Sequence, residues 1–287
     1  MVPRLPLEVV ETIIDDVAEF VDDNDYDNID NVYHSSIKAC ALVCHSFLPL
    51  CRKHIFSSVT LNAREARRPS SPTSHDLNHL LSNSPHLAVY IRKLNYHISR
   101  DEFYKRRSLW LLPMFKRLVR LKKLVIKHSP SPGRERLNWM SSPERMVLLP
   151  LLRLPNLTRI CLKRIRNFPL ADLAGCVNLK ELKIQYLGCS YGVGNFLEAL
   201  PTTPAMLERL VINKGSVEPV QQLCVARRPD GKPIIDFSSL KIITVQVATC
   251  SLQSMRELFG MCRNLQKIDL LGMSFSHYLF IHLKLLS

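Results

Sequence analysis

Apolar residues at Val10, Ile13, Ile14, Val17 and Phe20 recur at helical spacing and define one apolar stripe. Pro6 suits a first helical turn, and Glu8 and Glu11 complement the positive end of the helix dipole. The pattern predicts a helix over about Pro6–Val21. The next stretch, DDNDYDNIDN at 22–31, has five Asp, three Asn and no apolar period, and predicts a solvated loop. Its oxygens suit a divalent cation in type, but an EF-hand-type loop needs Gly at its sixth and Glu at its twelfth position, and neither stands in register. Ser35 or Ser36 then caps a second predicted helix, with Cys40, Val43, Cys44, Phe47 and Leu48 on one face. Pro49 ends it or opens a short third helix reaching about Phe56.

Beyond a predicted strand at Val59–Leu61 and a polar, Arg/Ser/Pro-rich connection at 62–74, the pattern changes period. A six-residue unit, apolar-x-x-apolar-x-apolar, returns as IRKLNY (91–96), LKKLVI (121–126), LTRICL (157–162), LKELKI (179–184), LERLVI (207–212), LKIITV (240–245) and LQKIDL (265–270). Each copy predicts a Leu-anchored turn leading into a short strand with alternate residues inward. Helical apolar spacing precedes several copies, as in LWLLPMFKRLV, NFLEALPTTP and SLQSMRELFGMC. A strand and a returning helix repeating every 22–36 residues predict a stacked array, because no unit buries its own face.

Charge divides the chain in a way its overall net +14 conceals. Residues 1–36 hold one basic and ten acidic side chains; the remainder holds 38 basic and 15 acidic. Two regions meeting different partners are expected. The nine cysteines are odd in number and irregularly spaced, and the opening MVPRLPLEVVETII lacks the pattern of a secretory signal. Free thiols in a reducing compartment, cytoplasmic or nuclear, are expected. No run approaches the roughly 18–20 apolar residues that span a bilayer.

Three cysteines and two histidines lie between positions 40 and 54. Cys40, Cys44, Cys51 and His54 offer zinc-ligand chemistry, yet structural zinc usually takes a short Cys-x-x-Cys knuckle on a turn. Here the first pair is spaced i, i+4 within a predicted helix, so packing as small buried hydrophobes is the reading adopted.

LPLEVVETII, ACALVCHSF and the closing HIF together resemble the F-box. Leu5, Pro6, Glu8, Val9, Ile13, Leu42, Val43, Cys44, Phe47, Ile55 and Phe56 match its order of features over about residues 3–56. Phe47 stands where that family usually has Trp, and the acidic run enlarges the first interhelical loop. The resemblance implies docking on the Skp-type linker protein and, through it, on a cullin of a ubiquitin ligase. Leu5, Pro6, Val9, Leu42, Val43 and Phe47 are then the expected linker contacts. Ile13, Val17, Cys40, Cys44, Ile55 and Phe56 are the expected interior. Three helices of about 50 residues close a core poorly alone, which fits dependence on a partner.

The later region resembles leucine-rich repeats. The Asn or Cys nine residues along each copy is replaced by Ser129, Ile165, Leu187, Gly215, Ala248 and Met273, so an irregular array without the interior polar ladder is expected. After the last copy, SFSHYLFIHLKLLS shows no polar capping pattern, so this end is expected to be truncated or to lean on something else. The fold expected is mixed α/β: an F-box helical domain at 1–56, a strand and linker at 57–74, and a leucine-rich-repeat-like solenoid of short parallel strands and helices at 75–287. This layout is similar to that of fungal-type F-box proteins.

Catalytic patterns fall short. YGVGNF (191–196) lacks a third Gly at dinucleotide spacing and a P-loop Lys; GCS (188–190) lacks the Gly that follows an elbow nucleophile. No catalytic, cofactor or metal residue is assigned, and a non-enzymatic adaptor is expected. Ser-Pro pairs at 71–72, 129–130, 131–132 and 142–143 read as loop turns. Basic clusters at Lys105–Arg107, Lys116–Lys123 and Lys163–Arg166 lack interleaved aromatics, which argues against nucleic acid. They fit an acidic or phosphorylated target segment better. The expected function is target recruitment to a Skp–cullin–F-box ligase; a ligase-independent repeat scaffold and a nucleic-acid binder are the rival readings.

Overall fold

A computed structural model of the chain describes residues 6–22, 30–62, 74–98, 111–128, 137–190, 203–213, 217–246 and 252–271. The architecture is mixed α/β: three helices lead into an eight-stranded parallel sheet with helices on one side.

The helices are α1 (Leu7–Asp22), α2 (Asp30–Val43) and α3 (Phe47–Ile55). They enclose a small core of Val10, Ile14, Ile37 and Cys51, against which Cys40, Ala41, Phe47, Leu50 and Ile55 pack partly buried. α1 matches the expected span within a residue at each end. α2 begins at Asp30, inside the stretch read as loop. α2 stops at Val43, so Cys40 and Val43 do not share a helix with Phe47 and Leu48. Pro49 occupies the first turn of α3, where a missing N–H leaves no hydrogen bond unmade.

The sheet runs in chain order: β1 (Ser58–Asn62), β2 (Lys93–Ile98), β3 (Lys123–His128), β5 (Arg159–Lys163), β8 (Glu181–Gln185), β11 (Arg209–Asn213), β13 (Ile242–Gln246) and β14 (Lys267–Leu271). The intervening numbers are two-residue strands: β4 (Leu137–Asn138) with β6 (Ile165–Arg166), β7 (Phe168–Pro169) with β9 (Cys189–Ser190), and β10 (Ala205–Met206) with β12 (Ile235–Asp236). Parallel neighbours need a return path. It is supplied by α4 (Ser74–Asn83), α5 (Leu111–Phe115), α6 (Glu144–Leu152), a 3-10 turn at Leu170–Leu173, α7 (Val217–Val225) and α8 (Leu252–Met261).

Each of the seven six-residue units lands on one strand of this sheet, and the alternation reads directly as burial. Leu94, Leu124, Ile160, Leu182, Leu210 and Ile243 stand in register across the sheet, as do Tyr96, Ile126, Leu162, Ile184, Ile212 and Val245; all are buried. The turn residues Leu121, Leu157, Leu179, Leu207 and Leu240 are fully enclosed below them. Leu77, Leu81, Met114, Phe115, Val147, Leu148, Leu223 and Leu258 close the core from the helical side.

Two hydrogen-bond ladders hold successive turns together. The carbonyl before each strand accepts two N–H groups from the next turn: Ser57 from Arg92 and Lys93, Arg92 from Lys122 and Lys123, and so on through Lys241 to Gln266 and Lys267, at 2.7–3.1 Å. Just before three strands, Asn156, Asn178 and Asn264 donate side-chain N–H to the carbonyls of Val119, Pro155 and Ser238 at 2.8, 2.7 and 3.0 Å. The asparagine therefore stands immediately before the anchoring Leu, rather than nine residues along. Ile165 and Leu187, at the latter position, are buried apolar residues. Arg164 and Tyr186 both adopt the left-handed region directly after β5 and β8, ending these strands at the same level.

Several expectations are corrected. Ile13 and Cys44 are exposed rather than interior, because the inward stripe of α1 runs through Val10 and Ile14, and Cys44 lies in the turn after α2. Phe56 packs on the core under the sheet rather than among the three helices, since it stands where the chain turns into β1. Cys40 and Ile55 do pack against the three-helix core. Leu5, the side chain of Val17, residues 63–73 and NFLEAL (195–200) lie outside the described residues. No described helix is long and apolar enough to cross a membrane.

Candidate protein-binding surfaces

The first surface belongs to the three helices. Val9, Ile13, Leu42 and Val43 are 42, 51, 87 and 68% exposed, a concentration of large apolar side chains on a unit of under fifty residues. They are exposed because the helices are short and the inward positions are already taken by Val10, Ile14, Ile37 and Cys51. Pro6 is exposed beside them in sequence at the start of α1, while Phe47 lies half-buried against the core. Of the six expected contacts, Pro6, Val9, Leu42 and Val43 thus reach solvent.

Polar contacts fix α3 on α1. Lys53 Nζ lies 2.7 Å from Glu11 Oε1 and 2.8 Å from Asp15 Oδ1, and His54 Nε2 lies 2.7 Å from the same Asp15 oxygen. Burial works to raise the Asp15 carboxyl, but the bonds from Lys53 and His54 outweigh it and hold the group below its ordinary value. Lys53 is held above its ordinary value by the same partners, against its own burial. His54 is thereby engaged with α1. Cys51 is enclosed in the interior, where burial first and the neighbouring Cys40 and Cys44 second raise its thiol pKa. Among the described residues no group of three or more His, Cys, Asp or Glu side chains is placed to hold a metal ion.

The second surface is the outer face of the sheet, and register builds it. Across the strand starts stand Lys93, Lys123, Arg159, Glu181, Arg209, Ile242 and Lys267; two residues on, Asn95, Val125, Cys161, Lys183, Val211 and Thr244; two further, His97, Lys127, Lys163 and Gln185. An open depression of about 530 Å³ lies over the strand starts, lined by Lys123, Arg159, Lys180, Lys183, Arg209 and Lys241 together with Glu181 and Glu208. Glu208 bridges Lys180 and Lys241 at 2.9 and 3.4 Å, and the Lys180 hydrogen bond is the main cause that lowers its pKa. Arg159 approaches Glu181 at 3.7 Å. Lys183 is half-buried, and loss of hydration lowers its pKa. Cys161 is buried on this face, which pushes its thiol up to about 11 despite Lys163 and Lys123 nearby.

Of the basic clusters, Lys116–Lys123 spans the turns between α5 and β3, and Lys163–Arg166 closes β5 and forms β6; residues 105–107 lie outside the described residues. Periodicity alone located the clusters but not their alignment, because each cation of a row comes from a different repeat. The signal was present all the same: the third position of the six-residue unit is Lys or Arg in five of the seven copies.

The remaining chemical candidates fall on structural positions. Ser142 is buried and donates its hydroxyl to Glu144 at the entry to α6, so this Ser-Pro pair is shielded from modification. Cys189 is buried in β9, and residues 191–196 lie outside the described residues. A scan against protein-family models and a search of the curated proteins return no match to this chain.

Proposed function

We propose that the chain is the target-recruiting subunit of a Skp–cullin–F-box ubiquitin ligase, with α1–α3 as an F-box and the sheet and its helices as an irregular leucine-rich-repeat-like solenoid. The observation that carries the reading is the exposure of Val9, Ile13, Leu42 and Val43 on a helical unit whose core, among the described residues, is built on four buried apolar side chains. An apolar surface of this kind costs free energy in water and favours a partner's groove. The order of features quoted above for the F-box points to the Skp-type linker as that partner. Strictly sequential parallel strands, tied turn to turn by the same carbonyl ladder, support the solenoid reading.

On this reading no bond is made or broken by the chain itself. The linker-bound subunit holds a target near a ubiquitin-loaded enzyme and raises the local concentration of its lysines. The basic outer face of the sheet, with eight Lys or Arg against two carboxylates on the outward positions of its strands, suits an acidic or phosphorylated segment of the target.

The test is co-expression of the full chain with a Skp-type linker. The two should copurify, and Leu42→Asp with Val43→Asp should abolish this, while Met140→Asp with Met146→Asp, on exposed apolar positions elsewhere, should not. Linker retained by the first variant would refute the assignment. If the wild-type chain binds a target but never the linker, the ligase-independent scaffold takes its place.

A further inference from the structure

The charges on the outer face are arranged, not merely numerous. Lys93, Lys123 and Arg159 stand side by side at the starts of β2, β3 and β5, and Lys127 and Lys163 stand side by side four residues further along β3 and β5. The outward positions of these three strands hold no carboxylate; the next strand brings Glu181. Four residues of strand cover about 13 Å, and neighbouring strands lie about 4.8 Å apart. Two basic rows therefore border a strip about 13 Å wide, with Asn95 and the buried Val125 and Cys161 between them.

An α-helix is about 10–12 Å across with its side chains and advances about 5.4 Å per turn. Laid across the strands, it fills the strip and keeps nearly one turn per strand. An extended chain places same-side residues about 6.6 Å apart and loses step with the strands at once. We propose that the segment received here is an amphipathic α-helix lying across β2, β3 and β5. One flank carries carboxylates at i, i+4 and i+7 for Lys93, Lys123 and Arg159. The other carries two for Lys127 and Lys163, with small side chains between the flanks, since Val125 and Cys161 beneath are already buried. Stacked like charges weaken such a helix in isolation. The basic rows relieve that repulsion, so the segment folds as it binds.

The proposal rests on the reading that this face receives the target, and its test is kept separate from the linker assay. Fluorescence polarisation of the full chain would compare three labelled probes: an acidic amphipathic helix of about 20 residues, the same composition interrupted by a central proline pair, and a single-stranded oligonucleotide of equal charge. The helix should bind about tenfold tighter than either competitor. Lys127→Glu with Lys163→Glu should abolish this, and a probe with lysines on the matching flank should restore it. Should the reversed variant lose its far-UV circular dichroism, Lys127→Gln with Lys163→Gln should still cost several-fold. Equal binding of the proline-bearing probe, tightest binding by the oligonucleotide, binding of none, or failure of the rescue each overturns the proposal. Loss of the linker with helix binding intact would instead count against the ligase reading alone.

Discussion

Asp172 offers the sharpest test of how the middle of the sheet is held. Its carboxylate, with the side chain only 6% exposed, accepts the indole N–H of Trp139 at 2.7 Å and two Arg145 bonds at 2.9 and 2.8 Å. Trp139 is fully buried and packs on Phe168 with ring centroids 5.2 Å apart. Asp172→Ala strands a buried indole N–H, at about 1–3 kcal/mol. It also leaves Arg145 without its counter-charge; breaking such a pair costs about 3–5 kcal/mol when fully buried. Arg145 retains 19% side-chain exposure and can recover water, so the two losses together should come to about 3–5 kcal/mol. Trp139→Phe keeps both Arg145 bonds and should cost about 1–3 kcal/mol. Because both changes break one shared bond, the double variant should fall short of their sum by about 0.5–2 kcal/mol. Urea titration followed by far-UV circular dichroism measures all three. A cost below about 1 kcal/mol for Asp172→Ala, or strict additivity, would refute the reasoning.

Cys51→Ser should destabilise the three-helix unit by about 1–3 kcal/mol, because it places a hydroxyl in a closed apolar core, whereas Cys44→Ser should change little; thermal melts of both decide it. Asn178→Ala should cost about 0.5–1.5 kcal/mol through the lost bond to the Pro155 carbonyl, read by urea titration. Burial pushes Cys161 and Cys262 up to about 11 from 9.0, so the folded state favours the neutral thiols. That contribution is complete below pH 9 and is lost as pH rises toward 11; Cys161→Ala with Cys262→Ala should flatten the fall in melting temperature across this window. At pH 8 a thiol reagent should label Cys44 quickly and Cys161 slowly, which mass spectrometry of the labelled peptides checks.

The helical and strand periods were legible because each is set by local geometry: α1 and every one of the seven repeat strands lie where alternation and helical spacing put them. The anchoring Leu of each unit was legible for the same reason, since one apolar residue at a fixed offset from a strand has nowhere to go but the core. The end of α2, the exposure of Ile13 and Cys44 and the placement of Phe56 were not. Each depends on which neighbouring helix or sheet takes the available apolar contact, and Ile13 and Ile14 are equally apolar until α2 and α3 choose between them. The asparagine ladder was visible as letters but not as a device, because its carbonyl partners come from the preceding turn, 23 to 37 residues away.

By itself the sequence determined the mixed class, the acidic front against the basic remainder, and the positions of the strands, all of which follow from residue type and short-range spacing. Only the tertiary structure decided that Lys93, Lys123 and Arg159 form one row and Lys127 and Lys163 another. Parallel pairing brings together residues some 30 positions apart in the chain, and the register that aligns them is set by inter-turn hydrogen bonds rather than by any local preference.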